Sequence, residues 1–99
     1  MPNNKRAVAH IEGYLRRNGE RNTIQIKRYL NKRLGFGISV QEVGNLMRRK
    51  QFYKVPGPLR GGAHLILEKT ALGVPRRIRV CVWGIHTEHE EGVNHHLER

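Results

Sequence analysis

Apolar residues in this chain change their period once, at Lys50: before it they recur every three or four residues, and after it they alternate. A chain with that switch is built as helices followed by strands, so an α+β domain is expected rather than a bundle or a sandwich. Ninety-nine residues suffice for one modest core, and no internal repeat divides them.

The helical half reads as three segments. From Asn4 to Arg17, Val8, Ile11 and Leu15 form a stripe flanked by Ala7 and Tyr14; Asn18-Gly19 stops it, because glycine takes the left-handed conformation that closes a helix. Thr23 is the expected cap of a second helix that turns Ile26, Tyr29, Leu30 and Leu34 inward and Lys27, Arg28, Lys32 and Arg33 outward. Gly35 and Gly37 around Phe36 make a turn. Ser39-Val40-Gln41-Glu42 is then a capping box, in which serine and glutamate satisfy each other's backbone donors at the start of a third helix. Val40, Val43, Leu46 and Met47 are its expected buried stripe, with Gln41, Asn45, Arg48 and Arg49 on the exposed face.

Short strand-like runs follow at 52–55, 63–68 and 77–85. The Gly/Pro-rich segment 56–62 reads as a compact hairpin loop joining the first two, with Arg60 at its tip. In the last run Ile78, Val80 and Val82 are expected on the core face, opposite Arg77, Arg79, Cys81 and Trp83. Tyr53 and Trp83 are read as packing aromatics before base-stacking platforms.

Charge narrows the partner. Lys and Arg number 19 against 8 Glu with no Asp, giving a net charge of +11. Residues 1–85 hold 18 of the cations and only 4 of the acids, so this domain calls for a polyanion: double-stranded DNA first, with RNA or an acidic protein as alternatives. Thirteen of the cations are Arg, whose planar fork suits phosphate and guanine edges. Residues 86–99 reverse the balance and are expected to form a flexible acidic tail, in which His86, His89, His95 and His96 lie among Glu88, Glu90 and Glu91. Imidazole with carboxylate suits zinc or nickel, but a solvated polar tail accounts for these residues equally well, so no metal and no cofactor is expected.

Cys81, the single cysteine, excludes an internal disulfide and a cysteine-based zinc site. A phosphate-cradling glycine loop, paired carboxylates in the basic domain and a nucleophile with an identifiable base are all missing, so no enzyme is expected. With no apolar run near membrane length and no signal-peptide pattern, the expected location is cytoplasmic and nucleoid-associated, or nuclear in a eukaryotic host.

Three helices, a glycine-containing turn before the third, and strands around a Gly/Pro loop: in this order the chain, from about residue 5 to 83, resembles the winged helix-turn-helix family of DNA-binding domains. The resemblance implies a three-helix domain with a small antiparallel sheet of two to three strands. Its third helix would enter the major groove through Ser39, Gln41, Asn45, Arg48 and Arg49, with Thr23, Lys27 and Arg28 near the DNA backbone. Lys54, Arg60, Arg76, Arg77 and Arg79 complete the expected contact set, and either 56–62 or 70–76 serves as the wing. Gln and Asn can pair with adenine and Arg with guanine, so a small sequence-reading transcriptional regulator is expected. An architectural duplex binder and a module for RNA or an acidic protein stand as alternatives, and a surplus strand either lengthens the sheet or offers an edge for a homodimer.

Overall fold

A computed structural model of the chain describes residues 4–35 and 37–86. Helix α1 (Asn4–Asn18) leads through a two-residue strand β1 (Arg21–Asn22) into α2 (Thr23–Leu34) and the short α3 (Val40–Leu46). Strands β2 (Phe52–Val55), β3 (His64–Lys69), β4 (Pro75–Val80) and β5 (Val82–Ile85) follow. The chain is thus α+β with three helices, and its antiparallel strands divide between two sheets: β1-β5-β2, and the hairpin β3-β4.

The helices bury the stripes their periodicity defines. Ala7, Val8, Ile11 and Leu15 of α1 meet Ile26 and Leu30 of α2 and Val43 and Leu46 of α3, while Phe52, Trp83 and Ile85 close the core from the three-stranded sheet. Two local devices hold α2 and α3 at their mutual angle. Gly35 caps α2 at φ 65°, a conformation that costs other residues a Cβ clash, and donates to Asn31 O at 2.9 Å. The Asn31 side chain in turn accepts from Ile38 N at 2.7 Å and donates to Ile38 O at 3.2 Å, so one amide satisfies both backbone groups of the residue entering α3. At Ser39 both bonds of the capping box are present: Glu42 N donates to Ser39 Oγ at 3.1 Å and Ser39 N to Glu42 Oε1 at 2.8 Å.

The structure departs from the sequence expectations at several elements. The cap of α2 is Asn22, which forms its own capping box with Gln25; Thr23 is buried instead, its hydroxyl and backbone N–H both donating to Cys81 O. Helix α3 ends at Leu46, so Arg48 and Arg49 sit on the turn that follows, and Val40, expected in the core, is 45% exposed.

Segment 56–62 is not a hairpin loop, because β2 pairs with β5 and not with β3. It is a connector closed by Leu59 N donating to Ala63 O at 3.0 Å, with a tight turn at Arg60–Gly62. The last run, expected as one strand, breaks at Cys81, whose carbonyl is taken by Thr23 rather than by a neighbouring strand. That break shifts the frame: Val80 is buried before it and Trp83 and Ile85 after it, whereas Val82 is only half-buried. The returning strand beside β2 is therefore β5, and the whole excursion between them, hairpin included, projects from the helical core.

Candidate nucleic-acid interface

One groove lies between the helices and the base of the hairpin, and of the expected contact residues Thr23 and Arg79 line it. Its walls are Ile24 of α2, Val40 and Gly44 of α3, and Ala63, Arg79 and Val80 from the hairpin and its approach, with Trp83 among the remaining lining residues, around a volume of about 410 Å³. Gly44 faces open space where a Cβ would stand. On α3, Gln41 and Asn45 follow Val40 and Gly44 by one position, which puts them on the adjoining, solvent-facing side of the same short helix. Both are exposed, as are Ser39 at the start of α3 and Arg48 and Arg49 just past its end. The exposed side of α3 and the base of the hairpin thus border one another across this groove.

The cations divide by how firmly they are held. Arg76, Arg77 and Arg79 are exposed along β4, and Arg60 is exposed on the connector. The strand register places Arg77 opposite Leu67 and Arg79 opposite Leu65 on one face, and Arg76 opposite Glu68 on the other. Glu68 pairs with Arg28 of α2 at 2.5 Å, which ties the hairpin to the helix and occupies an arginine expected near a DNA backbone. Lys54 is likewise tethered: its Nζ donates to Gly61 O at 3.0 Å and lies 5.8 Å from the centre of the Trp83 ring. Lys27 is half-buried.

Thr23 leaves the contact set, since it is 5% exposed and its hydroxyl is engaged by Trp83 Nε1 and Cys81 O. Lys50, on the turn with Arg48 and Arg49, and Lys69, at the end of β3, are exposed cations that periodicity did not single out.

Glu42 is the one carboxylate on α3. Its pKa is lowered by the hydrogen bond from the Ser39 backbone and then by that with the Ser39 side chain, so it stays ionised as part of the cap. Away from the groove, Tyr14 and Tyr29 stack with ring centres 4.2 Å apart, Arg17 donates to the Tyr29 hydroxyl at 3.0 Å, and Arg33 lies over the same ring. That cluster joins α1 to α2 and takes its arginines out of the groove's surroundings.

His86, assigned to the tail by composition, sits with the domain, its N–H donating to Gln51 O at 2.9 Å and its ring tilted against Tyr53. The remaining tail histidines and glutamates, and Phe36, lie outside the described residues. Among the described residues no three His, Cys, Asp or Glu side chains gather as a metal site, and no helix is long and apolar enough to cross a membrane.

No protein-family profile matches the sequence, and no curated protein matches it significantly. The chain is similar, with a TM-score of 0.58 and 22% identity, to a solved structure from an uncultured marine organism described as a candidate nucleic acid binding protein; the match covers 97% of this chain and 91% of that one. At this level of identity the likeness establishes a shared fold.

Proposed function

We propose that this chain is a duplex DNA-binding domain of the winged helix-turn-helix kind, without enzymatic activity, that presents α3 to the major groove and the β3–β4 hairpin as its wing. The observation that carries this reading is the shared groove: Val40 and Gly44 of α3 and Arg79 and Val80 at the base of the hairpin line one concavity, with exposed Gln41 and Asn45 on the adjoining side of α3, an arrangement that lets one duplex meet both. A domain of residues 1–85 with 18 cations and 4 acids supplies the charge such a contact needs. The ascription of nucleic-acid binding to the structural neighbour agrees with it.

Within that reading Gln41 and Asn45 are the base readers, Arg48, Arg49 and Arg60 bind phosphates, and the role is that of a small transcriptional regulator. One feature favours a second reading, as an architectural protein. Only two amides stand on the seven-residue α3, against six exposed arginines on the following turn, the connector and β4. A phosphate-dominated contact would lose affinity steeply with salt and care little for sequence.

Selection from a pool of genomic duplexes at two salt concentrations, with structured RNA as a parallel probe, separates these outcomes. A shared motif enriched at the higher salt, and lost in Q41A/N45A with general affinity retained, supports sequence reading. Salt-labile binding without enrichment supports the architectural role. Tight RNA binding with none to duplex DNA, or unchanged DNA affinity in R48A/R49A, overturns the placement of α3.

A further inference from the structure

Four of the five exposed large apolar side chains among the described residues belong to the hairpin: Leu65 at 50%, Leu67 at 68%, Leu72 at 89% and Val74 at 56% exposure. A wing that only touched phosphates would have no use for them, and water penalises them. Lys69, Arg76, Arg77 and Arg79 stand among them, and the single acid of the hairpin, Glu68, is spent on Arg28. The apolar surface is therefore set in a basic one, which fits a polyanion with an apolar interior.

The tip is held in shape. Thr70 N donates to Val74 O, Gly73 N to Thr70 O, and the Thr70 hydroxyl accepts from both Leu72 N and Val74 N, so Leu72 is carried at the apex of a closed five-residue turn. With six paired residues a side, the ribbon is about 20 Å long at the usual strand rise. Half a helical turn of B-DNA, the offset between a major groove and the next minor groove, is about 17 Å. A hairpin of this length, rooted beside α3, is long enough to span that offset.

We infer that the hairpin enters this minor groove and that Leu72 wedges between base pairs, bending the duplex away from the wing. This rests on the DNA-binding reading above. Lys69 and Arg76, exposed on the two strands just below the turn, are the cations near enough to meet the phosphates beside the opened step, while Arg77 and Arg79 follow the backbone toward the base of the hairpin.

The test uses the full chain at low salt, with a duplex that carries 2-aminopurine beside a central TA step and a fluorophore at each end. A TA step is easily unstacked, so it reports a wedge readily. The native protein bends the duplex by at least about 20° and raises 2-aminopurine fluorescence; L72S loses most of both signals while its affinity falls less than about tenfold. Because Leu72 is almost fully exposed, L72S keeps the native circular dichroism spectrum. Duplex binding without a bend, or a bend unchanged in L72S, overturns the wedge and leaves the DNA-binding reading standing. No duplex binding at all overturns both, and Leu72-dependent binding to phosphatidylserine vesicles without DNA distortion reassigns the tip to a membrane surface.

Discussion

The indole Nε1 of Trp83 donates to the hydroxyl of Thr23 at 2.9 Å, in a buried bond between residues 60 positions apart. Thr23 passes the bond on to Cys81 O at 3.2 Å, so the first residue of α2 fixes the junction where β4 gives way to β5. The placement of the projecting hairpin relative to the helices depends on this junction.

Replacing Thr23 by the isosteric Val leaves the Trp83 N–H buried without an acceptor. T23V is expected to lower stability by about 1–3 kcal/mol, the cost of an unsatisfied buried donor. W83F in the T23V background removes the orphaned group, so the double variant should lose less than the sum of the two single changes. Urea midpoints for the four proteins of the cycle measure this, and additive losses would show that the bond contributes nothing of its own.

Gly57 governs the connector from β2 to the hairpin. A Cβ there would stand 2.3 Å from Ala63 O and 2.7 Å from Gly62 O, and both are backbone atoms that cannot rotate away. G57A is therefore expected to cost about 1–3 kcal/mol, as overpacking does. It should also disturb amide signals of the Leu59–Ala63 turn while those of α1 stay in place. A spectrum perturbed equally throughout would place the strain elsewhere.

The cap of α3 gives the domain an acid-sensitive element. Hydrogen bonding to Ser39 depresses the Glu42 pKa in the folded state below its value in the unfolded chain. Its contribution is thus complete above the ordinary carboxylate range and is lost as the pH falls through the lowered folded value. E42Q keeps an acceptor at the cap but removes the titration, so its thermal midpoint should fall less steeply than the native protein's between neutral and acid pH. Parallel curves would assign the acid response to other carboxylates.

Much of this was legible in the sequence, and the failures share a cause. Local periodicity located α1 and α2, and Ser39 with Glu42 announced the start of α3, because caps and stripes involve residues only a few positions apart. Strand pairing is non-local. Nothing near Phe52–Val55 indicates that its partner is Val82–Ile85 rather than the nearer β3, and Arg21–Asn22 is too short to show any period. Alternation through 77–85 also runs smoothly past Cys81, where a bond from distant Thr23 decides the break. The site followed the same division. The exposure of Gln41 and Asn45 could be read from a helical wheel, but Arg48 and Arg49 are exposed because they lie on the turn beyond the end of α3, and the burial of Thr23 and the pairing of Arg28 depend on β-segments 40 or more residues away.

The Arg28–Glu68 pair tests whether α2 takes part with the hairpin in the proposed DNA contact. Arg28 is 61% exposed and Glu68 20%, so the ion pair is screened and its removal should change stability by no more than about 1 kcal/mol. Its effect on binding should be larger. E68Q deletes a negative charge from the basic face and releases Arg28 toward the duplex, which is expected to raise DNA affinity at low salt. If the freed guanidinium then contacts a phosphate, the slope of log affinity against log salt should steepen by about 0.9. R28A/E68Q should raise affinity less than E68Q alone and return the slope to its native value. Titrations of the three proteins at several salt concentrations measure this, and an E68Q slope equal to the native one would mean that Arg28 faces no phosphate, leaving α2 as a support for the hairpin rather than part of the contact.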